Sequence, residues 1–450
     1  MAKIKIIYRC QNCDAQFPKW QGRCTECGAW STLAKEQSLP KSRGEAIGKS
    51  GGQVEILASV EAGEAERIAS GLFEFDRVLG GGIVPGSLIL LGGDPGIGKS
   101  TLILQVAGRL GSSGSDVLYV SGEESAAQVK IRFNRLGLTT KNLKFLGETD
   151  LNTIITTIDR ERPKLVILDS IQTVADANVD SPAGSVGQVR SATNKFQEVA
   201  KMGKIPIILI GHVTKQGNVA GPRTLEHLVD VVLYLEGDRY HAFRVLRGAK
   251  NRFGSTSEVG VFDMQSGGLV EVANPSEIFL AQRKAASPGS VVTALVEGTR
   301  AFLVEIQALV SRSNFGYPQR RAAGFDFNRL QLLIAVLMKK AGLYLSNQDV
   351  HVNVAGGFKV GEPAVDLAVC LAIASALKNK PMPPELAVFG EVGLGGELRA
   401  VNQSEKRIEE IKKMGFREVL MPGTHLSEEP KKIQIFSQDS VMGAIREIFG

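Results

Sequence analysis

Eight residues restrict the fold of this chain more than any others. Gly93-Asp94-Pro95-Gly96-Ile97-Gly98-Lys99-Ser100 fit the pattern G-x-x-x-x-G-K-[ST]. Residues 87–91 before them are apolar and read as a buried strand, and residues 101–107 after them read as the first turns of a helix. In that setting the glycines let backbone N–H groups turn inward around phosphate oxygens, and the helix N-terminus adds its positive end. Lys99 reaches the β- and γ-phosphates, the Ser100 hydroxyl can hold Mg²⁺, and Thr101 completes the nucleotide-binding set. The chain is therefore expected to bind ATP or GTP on an α/β fold.

At 450 residues the chain has room for two or three domains. Its 43% hydrophobic and 22% charged residues suit an ordinary globular protein. No apolar run reaches the roughly 20 residues of a membrane span, and the first ten residues lack the apolar stretch of a signal peptide. A cytoplasmic protein without a membrane partner is the expectation. A net charge of +6 permits a nucleic-acid partner without requiring one.

Four of the five cysteines form two C-x-x-C pairs, Cys10/Cys13 and Cys24/Cys27. Each pair presents two sulfurs from one tight turn, and four thiolates make a closed tetrahedral Zn²⁺ site of structural type. Phe17, Trp20 and Trp30 are expected to give this module, residues 1–33, its apolar cover. Cys370 lies in the apolar run 364–377 and reads as a core residue. Residues 34–53 are polar, rich in glycine and serine and without periodicity, and read as a linker.

From 54 to 275, apolar runs at 88–91, 117–120, 165–168, 207–210, 231–235 and 243–246 alternate with helical patterns such as 125–136 and 186–202. That alternation predicts a mostly parallel sheet covered on both faces. A second α/β region, 276–450, begins with a hairpin of 291–296 and 301–309. Helices at 329–341, 364–377 and 405–414 follow, with strands at 350–354, 386–390 and 418–420.

Several polar residues sit where chemistry on a nucleotide needs them. Asp169 closes a strand and can orient the water shell of Mg²⁺. Glu123 follows another strand and can polarise the attacking water. His212, just past the strand 207–210, can sense the γ-phosphate. Lys250 and Arg252 alternate around Asn251 at a strand end, so both point to one side. They suit a phosphate contact, either with ATP across a subunit boundary or with DNA.

These residues together resemble a RecA-type motor core. More specifically, Lys250-Asn251-Arg252-Phe253-Gly254 resembles the KNRFG signature of the bacterial RadA (Sms) family, and the zinc module's position, residues 211–215 and residues 221–230 agree with it. The resemblance implies ATP as the nucleotide and a DNA-dependent ATPase of helicase type. It further implies a ring-shaped homo-oligomer, a hexamer, that processes branched recombination intermediates in DNA repair. Single-stranded and branched DNA and the RecA recombinase are the implied partners. Two stretches, 172–190 and 215–227, would be DNA-contacting loops, with Arg190, Lys215 and Arg223 joining Lys250 and Arg252 as phosphate contacts; few aromatics are present for base stacking. A regulatory RecA-fold ATPase acting on proteins is the first alternative, and an ATP-dependent protease the more remote one.

The C-terminal region resembles the proteolytic domain of Lon proteases, with one departure. Ala364 occupies the place of the nucleophilic serine, and Glu405 falls at or next to the lysine position. An alanine side chain carries no oxygen to attack a peptide, so the domain is expected to be peptidase-inactive.

Overall fold

The computed structural model describes residues 5–10, 16–25, 30–38, 67–211, 224–237, 243–281, 283, 287–313, 316–357, 360–423 and 432–450. At the N-terminus, strands β1 (Lys5–Cys10), β2 (Gln16–Phe17) and β3 (Leu33–Ser38) form an antiparallel sheet in the order β2-β1-β3. Two expectations are corrected here. Residues 34–38 are not linker, because all six positions of β3 pair with β1. Trp20 and Trp30 do not cover the cysteines: they are 59% and 71% exposed, and the small core consists of Cys10, Cys24 and Leu33, with Tyr8 and Phe17 packed against it. A module this small has too little interior to enclose two indoles.

The central unit contains α1 (Phe73–Leu79), β4 (Leu88–Gly92), α2 (Lys99–Ser112), β5 (Val117–Ser121), α3 (Ala126–Arg135), β6 (Leu143–Leu146), α4 (Leu151–Glu161), β7 (Leu165–Asp169), α5 (Val186–Gly203) and β8 (Ile207–Ile210), then β9 (Val231–Gly237), β10 (Phe243–Asn251), β11 (Val259–Gln265) and β12 (Gly268–Glu271). One nine-stranded sheet carries them in the order β12-β11-β10-β9-β4-β8-β7-β5-β6. From β9 to β6 every pairing is parallel; β9 to β12 form an antiparallel meander. Strands β4, β5, β7 and β8 are buried at every position, as their unbroken apolar runs require when helices cover both faces. Two apolar clusters result, one under α2 and α3 and one under α4 and α5. The strand expected at 243–246 runs on to Asn251, with a bulge between Gly248 and Lys250.

The C-terminal unit opens with α6 (Pro275–Leu280) and continues with β13 (Ser290–Glu297), β14 (Arg300–Arg312), β15 (Arg320–Ala323), α7 (Phe327–Lys340), β16 (Gln348–Val354), α8 (Asp366–Lys378), β17 (Leu386–Val388), β18 (Glu391–Val392), β19 (Leu398–Arg399), α9 (Ser404–Lys413), β20 (Glu418–Pro422), β21 (Gln434–Gln438) and α10 (Val441–Phe449). A seven-stranded mixed sheet has the order β15-β16-β14-β13-β17-β20-β21. Residues 364 and 365, expected to start the apolar helix, instead belong to a separate 3₁₀ turn, Pro363–Val365, before α8. The β13–β14 hairpin docks on the central unit: Arg300 donates to the buried Glu74 carboxylate at 2.8 Å and to the Ala273 carbonyl at 2.6 Å. Among the described residues no helix is long and apolar enough to cross a membrane.

Candidate functional site

Strand β4 delivers the chain to residues 93–98, and α2 begins at Lys99. Gly93 has φ +149°, and a Cβ there would lie 2.5 Å from the Leu235 carbonyl oxygen of β9, so only glycine lets the loop leave the sheet along this path. Asp94, Pro95 and Gly96 form the exposed tip, whereas Ile97 is buried beneath it. No acidic residue occupies the first turn of α2, which leaves its positive end available to an anion. The buried Lys99 ammonium donates to the Gly93 and Asp94 carbonyls at 2.9 and 3.0 Å. Burial pulls the Lys99 pKa down, and Asp169, Asp94 and Glu123 act against that. Gly93 through Thr101 thus form a basic, N–H-rich cradle of the kind that takes a triphosphate.

The carboxylates beside this cradle come from neighbouring strand ends. Ser121 of β5 pairs with Asp169 of β7, which brings Glu123 and Asp169 to one edge. Asp169 is buried; its Oδ2 accepts from the Tyr119 hydroxyl at 2.7 Å, and its Oδ1 is buried without a hydrogen-bond partner. Burial raises the Asp169 pKa, with the hydroxyls of Tyr119 and Ser100 pulling the other way. A buried carboxylate oxygen lacking a donor, opposite the Ser100 hydroxyl, fits a hard cation with oxygen ligands, as Mg²⁺ at the nucleotide requires. Glu124 is committed to Arg132 of α3 at 2.6 Å, whereas Glu123 accepts from Ser170 on the Asp169 side.

A pH dependence follows. Burial makes ionising Asp169 costlier than in water, while a metal ion requires the ionised form. Mg²⁺ and a proton should therefore compete for Asp169, and the Mg²⁺ needed for half-maximal ATPase should rise as pH falls through the Asp169 pKa. Titrations of Mg²⁺ at a series of pH values should show this in the wild type and not beyond the nucleotide's own titration in Asp169→Asn. An identical pH response in both proteins would point to another acid.

Lys250 and Arg252 contact the same segment, although Arg252 lies just past the end of β10. The Lys250 ammonium donates to the carbonyls of Glu226 and Val229, both at 2.8 Å, and burial, with the Arg252 charge beside it, lowers its pKa. The half-exposed Arg252 guanidinium pairs with Asp230 at 3.1 Å. Asp230 gave no signal in the sequence beyond its place in the 221–230 motif. Its other oxygen accepts from the Leu88 N–H at 3.1 Å, so it ties Arg252 to the first residue of β4. That is the end of β4 remote from the phosphate loop: about 13 Å of strand lies between them at roughly 3.3 Å per residue. Both cations thus gather at the end of β4 opposite their own phosphate loop.

Arg190 lies on α5 and not in the preceding loop, with its guanidinium 3.3 Å from the His227 ring. The loop before α5 is tied down by the Gln188 side chain, which bonds to backbone atoms of Asp176, Val179 and Ser181. His212, Lys215 and Arg223 lie outside the described residues. Arg190, His227, Lys250 and Arg252 therefore all contact residues 226–230 or lie within them.

In the N-terminal module, Cys10 and Cys24 are fully buried in one cluster, and Thr32 Oγ1 lies 3.2 Å from the Cys10 sulfur. Buried sulfurs with a hydroxyl beside one of them suit thiolate ligation of zinc. Cys13 and Cys27 lie outside the described residues. Cys24→Ser should lower the zinc content from one per chain to near zero, while melting of the rest of the chain stays unchanged. Metal analysis and a thermal melt would check both; full zinc in the variant would refute the ligand set.

Ala364 is buried, its carbonyl accepting from Gly390 N–H at 2.7 Å. Nearby, the fully buried Arg407 forms an ion pair with Glu362 and donates to the Ala294 carbonyl at 2.7 Å. Glu362 in turn accepts from Val296 N–H at 3.0 Å. The region holds a closed ion-pair network around Arg407 and Glu362. Burial holds the Cys370 thiol well above its ordinary pKa, which suits an inert core residue.

Comparison with known proteins adds to this picture. A family model described as an AAA domain matches residues 61–218, one described as a rubredoxin metal binding domain matches residues 8–35, and one described as subunit ChlI of Mg-chelatase matches residues 328–425. The chain is 50% identical over 457 residues to the DNA repair protein RadA of Bacillus subtilis (strain 168). It is 47% identical over 456 residues to that of Halalkalibacterium halodurans, and 47% over 453 residues to that of Streptococcus pyogenes serotype M6. Each alignment covers 100% of both chains. Among solved structures, a KaiC-like protein from Pyrococcus horikoshii is similar at 19% identity and a TM-score of 0.40, over 46% of this chain and 99% of that one. With a zinc ribbon, a RecA-like ATPase core and a ChlI- and Lon-like α/β domain, this chain belongs to the RadA family of DNA repair proteins.

Proposed function

We propose that the chain is a DNA-dependent ATPase, a ring-shaped hexameric motor that drives branched recombination intermediates during repair beside the RecA recombinase. One observation carries the reading: Lys250 and Arg252 lie at the end of the sheet remote from their own phosphate loop, while Asp230 joins Arg252 to the strand that carries that loop. Cations so placed serve a neighbour's γ-phosphate, a DNA backbone, or both in turn, and a ring brings each pair to the adjoining nucleotide. Within each site, Lys99 and the loop N–H groups hold the phosphates, Ser100 and Asp169 hold Mg²⁺, and Glu123 orients the attacking water. His212 reports the γ-phosphate to the segment that ends at residues 226–230, where Arg190, Lys250 and Arg252 gather; Lys215 and Arg223 extend this DNA-facing set. The C-terminal domain takes no part in peptide hydrolysis, since Ala364 offers no nucleophile.

A three-strand branched DNA with a labelled arm tests the reading. Strand displacement with ATP and none with a non-hydrolysable analogue is expected. ATP hydrolysis that leaves the junction intact would favour a regulatory ATPase acting on protein partners.

A further inference from the structure

We propose that Arg244 is a positioning residue for the ATP phosphates, acting through the backbone of the phosphate loop. The proposal rests on residues 93–100 being the ATP site. Arg244, the second residue of β10, is buried; its Nε donates to the Ile97 carbonyl at 3.0 Å and its Nη1 to the Phe243 carbonyl at 2.8 Å. The Ile97 carbonyl belongs to the peptide unit whose other end is the Gly98 N–H. A charge-assisted hydrogen bond to that carbonyl polarises the unit, making the N–H a stronger donor where the loop meets the helix N-terminus. It also holds the carbonyl lone pairs on the far side of the loop, where they cannot repel a phosphate oxygen. The guanidinium, charged at all working pH values, adds attraction from behind the loop.

The backbone around Arg244 is shaped to it. Gly237 of β9 has φ +159°, and a Cβ there would lie 2.8 Å from Arg244 Cδ and 3.3 Å from its Nη1. The contact joins residues 147 apart in the chain, so no local motif announces it. Arg244 also opens the strand that carries Lys250 near its other end, so one strand touches both the subunit's own phosphate loop and the cations directed away from it.

Two variants of the full chain, Arg244→Met and Arg244→Lys, test the proposal with three readouts: KM for ATP, kcat, and the melting midpoint without nucleotide. Arg244→Met keeps the apolar stem and loses charge and donors. It should raise KM about tenfold, as expected for a lost hydrogen bond to a charged group, with kcat changed less than about twofold. Arg244→Lys should recover part of the affinity. An unchanged KM in Arg244→Met would overturn the proposal. So would KM, kcat and melting midpoint worsening together with no advantage for lysine, since that marks a general packing role. If Arg244→Met fails to fold, Arg244→Gln, polar but uncharged, decides: a KM at the wild-type value rejects the role, and a raised KM with an unchanged midpoint supports it. Failure of the wild-type chain to bind ATP would instead reject the ATP site itself.

Discussion

Lys99→Ala should abolish ATP hydrolysis, lowering kcat at least ~100-fold, the scale of losing one preorganised charge from a phosphoryl-transfer site. Lys99 is the sole cation between residues 93 and 101, so no neighbour in the loop replaces it. Its ammonium donates to the Gly93 and Asp94 carbonyls beside the cradle. Burial works against the charged form, and Asp169, Asp94 and Glu123 restore it. Removing the ammonium leaves these three carboxylates facing the incoming triphosphate, so nucleotide affinity should fall along with turnover. Steady-state phosphate release and a nucleotide-binding titration would measure the two effects. Turnover near wild type in Lys99→Ala would remove the phosphate loop from the chemistry.

Arg252→Ala should lose turnover by roughly 10³-fold or more if its guanidinium acts on a neighbour's γ-phosphate, the range known for arginine fingers. Mixing distinguishes this from a DNA-binding role. Arg252→Ala subunits keep an intact phosphate loop, and Lys99→Ala subunits keep an intact Arg252. Mixed rings then contain boundaries with both parts present, and ATPase activity should partly return on mixing two inactive proteins. If the pair binds only DNA, Arg252→Ala should retain basal turnover and instead lose DNA affinity and part of its salt dependence. We favour the mixed role, in which DNA engagement and hydrolysis share these cations. Asp230 gives that a physical route, because it accepts from both Arg252 and the backbone of Leu88.

The parallel half of the central sheet was legible because its strands are short, wholly apolar and punctuated by helices, which is the pattern of burial on both faces. The meander strands β11 and β12 were not, since Asp263, Gln265 and Glu271 interrupt their apolar runs, although the two pair as a tight hairpin. Strand β6 escaped for a similar reason: at the sheet edge its four residues are only partly covered, so composition does not mark it. At the site, Lys99, Ser100 and Asp169 stand out by local spacing alone. Tyr119, Asp230 and Arg244 do not, because each acts through a partner 50 or more residues away along the chain, or through a backbone carbonyl. The tryptophans misled because aromatic residues beside cysteines suggest a lid, whereas Trp30 lies open under the Arg23 guanidinium, 5.7 Å from its ring.

The central claim is that DNA and ATP meet in one machine, and the rate of ATP hydrolysis with and without single-stranded DNA tests it most directly. With saturating ATP and Mg²⁺, single-stranded DNA should raise the wild-type rate severalfold, and the stimulation should fade as salt rises and phosphate contacts weaken. A rate indifferent to DNA at every salt concentration would contradict the account.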